Sequence, residues 1–178
     1  MSARFDDPEG ADQRDVLERV LGHAFFSGMS EEEKTVVALS ILPGETRWAL
    51  FEPGEMIFCE GESANRFYLL EDGTVQLEFH EPGDETFPFE TLRAGDVLGF
   101  SWLFPPFLWS YHARALERSQ AIILNGAHLL VVAESNKQFG YDLMKRVSQI
   151  AIRPLRSVRR NLISISRQLH KARSLQSG

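Results

Sequence analysis

One cysteine, Cys59, is all the thiol chemistry this 178-residue chain carries. An internal disulfide, a multi-cysteine zinc site and a cysteine-ligated iron–sulfur cluster are thereby excluded. Long apolar runs are missing as well, none reaching the ~18 residues that would span a bilayer. The opening MSARFDDPEG is polar and acidic, without the apolar stretch of a signal peptide. The expectation is a cytoplasmic protein without membrane contact. Histidines are scattered at His23, His80, His112, His128 and His170, with no pair at metal-ligand spacing. Neither a nucleophile elbow nor a phosphate loop is present. A non-enzymatic protein with no catalytic residue, no metal and no required cofactor follows.

Acidic residues nearly vanish from the C-terminal part. Residues 137–178 hold ten Lys and Arg against Asp142 alone, whereas the preceding residues hold nine basic and twenty-four acidic groups. An acidic body with a basic tail is a two-part design. The tail either lies against its own body or contacts an anionic partner such as nucleic acid, lipid or an acidic protein.

What is present divides by period. Residues 1–13 read as disordered. The spacing of Val16, Leu17, Val20 and Leu21 is helical, and Ser30-Glu31-Glu32-Glu33 is a capping box that opens a second helix, ended by Pro43-Gly44. Short strand-like segments separated by turns follow, around Trp48–Phe51, Met56–Cys59, Phe67–Leu70, Val75–Phe79 (which alternates), Phe87–Leu92, Tyr111–Leu116 and Ala121–Leu124. Asp72-Gly73 and Pro82-Gly83 supply turns, the first with a hairpin signal. Seven or eight short strands at this spacing suggest an antiparallel sandwich or jelly roll. From Ser135 the period turns helical, with Met144, Val147, Ala151, Leu155, Val158, Leu162, Ile165 and Leu169 spaced as a coiled-coil seam. Pro154 interrupts it and predicts a kink near 150–154. A stripe this long predicts a homodimer, with Val147, Ala151, Leu155, Val158 and Leu162 in the interface. The domain layout is then 14–134 for the body, 135–170 for the long helix and 171–178 for a tail.

The densest apolar stretch is 99-GFSWLFPPFLWSY-111, with six aromatics, two prolines and no charge. Together with FEPGEMIF at 51–58, Glu60-Gly61-Glu62, Phe67-Tyr68-Leu69, GTVQL at 73–77 and Gly95-Asp96, it gives the chain an order of features that resembles the cyclic-nucleotide-binding domain of the catabolite activator protein and fumarate-nitrate regulator superfamily. The resemblance covers about residues 20–165. It implies an α+β fold: a β-roll, or double-stranded antiparallel jelly roll, with N-terminal helices and a long C-terminal dimerisation helix. It also implies a phosphate-binding cassette, in which a strand ends in Gly and a short helix offers its N–H groups to the cyclic phosphate. Members that read DNA continue into a helix-turn-helix domain. Here about eight residues follow His170, so sequence-specific DNA binding is not expected.

Aligned on that pattern, Gly99 takes the cassette glycine, Phe100 stands where the family has a ribose-binding Glu, and Trp109 and Ser110 stand where it has Arg and Ser or Thr. Phenylalanine accepts no hydrogen bond from a sugar, and indole offers one neutral donor in place of a forked cation. A charged hydrogen bond contributes about 1.5–3 kcal/mol, so losing both partners predicts cyclic AMP or cyclic GMP binding weakened by roughly two to four decades. Two rebuilt pockets remain open. The rings of Phe100, Trp102, Phe104 and Trp109 fill the cavity themselves, or aromatic walls hold a cyclic nucleotide or another small planar effector. Gly99, Phe100, Ser101, Trp102, Trp109, Ser110 and Tyr68 are the expected ligand-binding set. The functional expectation is a small-molecule-sensing regulatory module that signals to a protein partner. Its alternative is a ligand-free dimeric interaction protein whose basic helix docks on an acidic partner or nucleic acid.

Overall fold

The computed structural model describes residues 13–41, 46–80 and 86–176. Helix α1 spans Gln13–Gly22, a 3-10 turn follows at Ala24–Phe26, and α2 spans Glu31–Ser40. The capping box forms as the sequence indicates. Ser30 Oγ accepts from the Glu33 N–H at 3.2 Å, and Glu33 Oε2 accepts from the Ser30 N–H at 2.7 Å. The Pro43-Gly44 stop and the Pro82-Gly83 turn lie outside the described residues, as does the N-terminal stretch through residue 12.

Eight strands build two antiparallel four-stranded sheets. The first has the order β1 (Arg47–Phe51), β8 (Ser119–Asn125), β3 (Arg66–Asp72), β6 (Val97–Leu98). The second has the order β2 (Met56–Phe58), β7 (His112–Ala115), β4 (Thr74–His80), β5 (Thr86–Arg93). The architecture is the expected α+β roll with flanking helices. Strand β3 shows why its sequence is apolar without alternation, since Phe67 to Leu70 are all buried. Tyr68 points between the sheets toward Phe58, while Phe67 meets Phe25 and Trp102 in the helical layer. A strand covered on both faces reads as a continuous hydrophobic run.

Asp72-Gly73 is not a hairpin. The two strands it joins lie in different sheets, so it is a corner at which the chain crosses the roll. Gly73 has φ +86° there, and a Cβ would stand 2.3 Å from Ser119 Oγ and 2.7 Å from the Arg118 carbonyl oxygen. Glycine is required by space as well as by conformation.

Two elements escape the sequence reading: the two-residue β6 and helix α3 (Gly126–Ser135), capped by the Asn125 side chain accepting from the His128 N–H at 3.0 Å. After Asn136, helix α4 runs from Lys137 to Gln176, beyond the expected end at 170, and Pro154 does not terminate it. Its proximal half lies on the body. Phe139, Leu143 and Val147 are buried, Ile150 is half-buried, and Arg146 and Arg153 make polar ties to the roll side. Val147 is therefore a core residue of its own chain and is withdrawn from the expected dimer seam. Val158 is half-buried against the same core, and Ala151 is also half-buried. Leu155 and Leu162 remain 69% and 63% exposed, which leaves an apolar outer face beyond the body.

Candidate functional site

The site begins where β6 ends. Gly99 has φ +79°, a conformation that turns the chain away from the sheet and that side chains disfavour. A Cβ on it would lie 2.9 Å from Trp109 Cη2 and 3.1 Å from both Trp109 Cζ3 and Tyr68 Cδ2. The indole of Trp109 thus lies directly against the cassette glycine, on the ground where the resemblance put a ligand's phosphate. Phe58 stacks on the same indole with ring centroids 4.1 Å apart and 19° between planes. Phe58 also tilts against Tyr68 at 5.9 Å and Tyr111 at 5.9 Å, and Tyr111 meets Phe89 edge-on at 5.5 Å. The inside of the roll is a continuous aromatic stack.

Backbone geometry holds Trp109 in that position. Its N–H donates to the Glu62 carbonyl and its carbonyl accepts from the Gly61 N–H, each at 2.9 Å, and the Ala64 N–H reaches the Phe107 carbonyl at 2.8 Å. The loop between β2 and β3 and the cassette exit therefore form a clamp around this one side chain. Phe107 sits within it at φ +59°, rare for a bulky residue and tolerated here because both sides are tied down.

Of the expected set, Gly99, Tyr68 and Trp109 come together, and Phe100 is near them, half-buried and edge-on to Tyr111 at 6.4 Å. Trp102 does not join them. It lies on the other side of the first sheet, 5.7 Å from Phe67 between centroids, and so close to Gly126 that a Cβ there would stand 2.4 Å from its Cγ. Ser101 is buried in a 3-10 turn of three residues, Ser101–Leu103, too short to build a helix dipole of any size. Ser110 is exposed, and so is Phe104, which the self-filling reading had placed in the cavity. Sequence reasoning left Phe58, Phe89 and Tyr111 out of the site. Nothing local in the sequence sets them apart from ordinary core.

The electrostatics are those of an apolar interior. Burial pushes the Tyr111 hydroxyl far above its ordinary range, the charge of Glu90 adds to the effect, and the Gly99 backbone opposes it. That hydroxyl has no hydrogen-bond partner of ordinary geometry. Burial also raises Tyr68, with Arg66 pulling the other way through its charge and a hydrogen bond. Arg66 is the cation at the mouth, where a cleft of about 270 Å³ opens beside Trp109 between Glu62, Asn65 and Arg66. Among the described residues no group of three or more His, Cys, Asp or Glu could hold a metal ion. Nor, among these residues, is any helix long and apolar enough to cross a membrane.

Comparison with known proteins agrees with this fold. Residues 49–136 match the model of the cyclic nucleotide-binding domain family. A Geobacter metallireducens GS-15 protein described as cyclic nucleotide-binding is 28% identical, with 76% of this chain and 96% of that one aligned at a TM-score of 0.63. The Thermus thermophilus catabolite activator protein shares the fold at 22% identity, covering 80% of this chain and 63% of its own, with a TM-score of 0.59. So does the regulatory subunit of a cAMP-independent protein kinase A from Trypanosoma cruzi, bound to guanosine, at 18% identity, 86% and 51% coverage, and a TM-score of 0.63. No curated protein matches the chain. Residues 49–136, wrapped around Gly99 and Trp109, are the part of the chain that carries the cyclic nucleotide-binding domain whose family model they match.

Proposed function

We propose that the chain is a regulatory sensing module in which the Trp109 indole fills the place of a ligand's anionic group, so that cyclic AMP and cyclic GMP bind weakly or not at all. The contact of Trp109 with Gly99 and Phe58 carries this reading. A phosphate entering there would displace a ring that is 4% exposed and find no Lys or Arg between residues 94 and 113 to receive it. The sensing body is residues 14–134 and the output arm is the long helix from 135 to about 170. Two copies pair through the outer face of that arm, where Leu155 and Leu162 lie, and the pair acts on a protein partner. The role involves no catalysis.

A second reading keeps a ligand. The cleft beside Trp109 is polar at its rim, and the T. cruzi relative is described as bound to guanosine, a planar molecule without a phosphate. A neutral nucleoside could settle there without needing the missing cation. Titration calorimetry with cyclic AMP, cyclic GMP, adenosine and guanosine separates the cases. The first reading expects no saturable heat for the cyclic nucleotides below about 1 mM, and micromolar binding by either overturns it. Saturable heat from a nucleoside alone selects the second.

A further inference from the structure

A second cavity, of about 180 Å³, lies away from the roll interior, where α4 crosses the 3-10 turn and the β5–β6 corner. Arg146 and Arg153 line it, two helical turns apart on one face of α4, with Gln149 and Ile150 between them. Arg146 uses only its Nη1, which donates to the carbonyls of Phe25 at 2.6 Å and Ser27 at 2.9 Å. Its Nε and Nη2 have no acceptor among the described residues, and no carboxylate lies within 4.0 Å of it. Asp142, one turn back and half-buried, accepts from Gln138; hydrogen bonds with Glu33 and Gln138 hold its carboxyl below the ordinary range, and the charges of Lys145 and Arg146 add to this from beyond ion-pair distance. Arg153 Nη1 pairs with Asp96 Oδ1 at 2.6 Å. Glu90 feels the Arg153 charge but does not line the cavity.

The lining therefore carries two guanidinium cations and one carboxylate. The half-buried guanidinium of Arg146 is held by neutral carbonyls with no carboxylate in ion-pair contact, and its forked N–H edge is shaped for a carboxylate. Phe25, Val97 and Ile150 supply apolar wall for a short hydrocarbon stem. We propose that this cavity is a binding site for a small organic monocarboxylate, its carboxylate on Arg146 and its stem against Ile150 and Val97. Such a ligand would join the helix to the corner that leads, three residues on from Asp96, into Gly99. The site is separate from the one proposed in the roll.

Calorimetry of the full chain with sodium butyrate tests this, at constant ionic strength and with inorganic phosphate as the comparison anion. Saturable butyrate binding is expected, with phosphate at least about tenfold weaker. Ile150→Trp fills the cavity while keeping both arginines in the chain and should abolish binding. Arg146→Lys keeps the charge but loses the fork, and should weaken binding about tenfold. Circular dichroism checks that both variants are folded. Absence of binding up to tens of millimolar overturns the assignment. So does binding indifferent to Ile150→Trp, or phosphate binding as tightly as butyrate.

Discussion

The indole of Trp109 lies on the ring of Phe58 with centroids 4.1 Å apart, and its far edge occupies the space a side chain on Gly99 would need. This pair makes the roll interior solid. Replacing Trp109 with Ala removes a ring that is 4% exposed and leaves a void that the clamped backbone cannot close. The expected cost is about 3–5 kcal/mol, as for other buried aromatics cut to Ala. Chemical denaturation measures it, and a loss below 1 kcal/mol would mean that Trp109 is not packed as described.

Arginine at the same position is a different experiment. Trp109→Arg combined with Phe100→Glu restores the family's polar pair but puts two charged groups into an aromatic interior, where desolvating them is costly. The double variant should be less stable than the native chain and should regain stability when cyclic AMP supplies the phosphate. A nucleotide-dependent rise in melting temperature is expected for the variant and none for the native chain. Equal shifts in both would show that the native pocket already takes nucleotide.

How far the sequence foretold this depends on the range of each signal. The capping box at Ser30 and Glu33 was legible because both hydrogen bonds join residues three apart. Short apolar runs between turn signals located seven of the eight strands, while β6, with two residues, is too short to stand out. Helix α3 was missed because GAHLLVVAES is apolar on nearly every side and so has no stripe. Asp72-Gly73 announced a turn correctly, but a local dipeptide cannot say whether the next strand pairs or crosses to the other sheet. Trp102 and Trp109 looked equivalent in one aromatic run, yet they lie on opposite faces of the first sheet, a fact set by Gly126 and Phe58 far away in sequence. Val147 kept the seam's spacing but faces inward, since spacing specifies a stripe and not what covers it.

His23 gives the fold an acid-side slope. Its Nδ1 accepts from the Phe25 N–H at 3.2 Å and its Nε2 faces the Leu70 carbonyl at 3.2 Å, which suits the neutral ring with a proton on Nε2. Burial lowers its pKa below the ordinary 6.5, against smaller opposing effects from the Leu70 carbonyl and Asp96. The unfolded chain therefore takes up this proton first. The contribution of His23 is fully present above about 6.5 and is lost as pH falls toward its folded value, with a slope of at most ~1.4 kcal/mol per pH unit. Burial raises Glu71 and Glu90, which favour the fold as pH falls, so the slope is read by difference. His23→Asn keeps an acceptor for the Phe25 N–H and removes the titration. Urea melts between pH 5 and 7 should converge for the two proteins as pH drops. Parallel curves would place the slope elsewhere.

Leu155 and Leu162 lie seven residues apart on α4 and are both largely exposed. Seven residues is two helical turns, so both leucines lie on one side and can form a narrow seam against an identical helix. An isolated helix with such a stripe gains little from propensity alone and is stabilised by covering the stripe. Leu155→Glu with Leu162→Glu places four carboxylates in the proposed seam of a pair. Light scattering should show a dimer for the native chain and a monomer for the variant, while the thermal stability of the roll changes little because neither leucine touches it. A native chain that scatters as a monomer at high concentration removes the pairing. A variant that remains dimeric moves the interface to another surface, for which the exposed Tyr141 and Met144 nearer the body are the next side chains to replace.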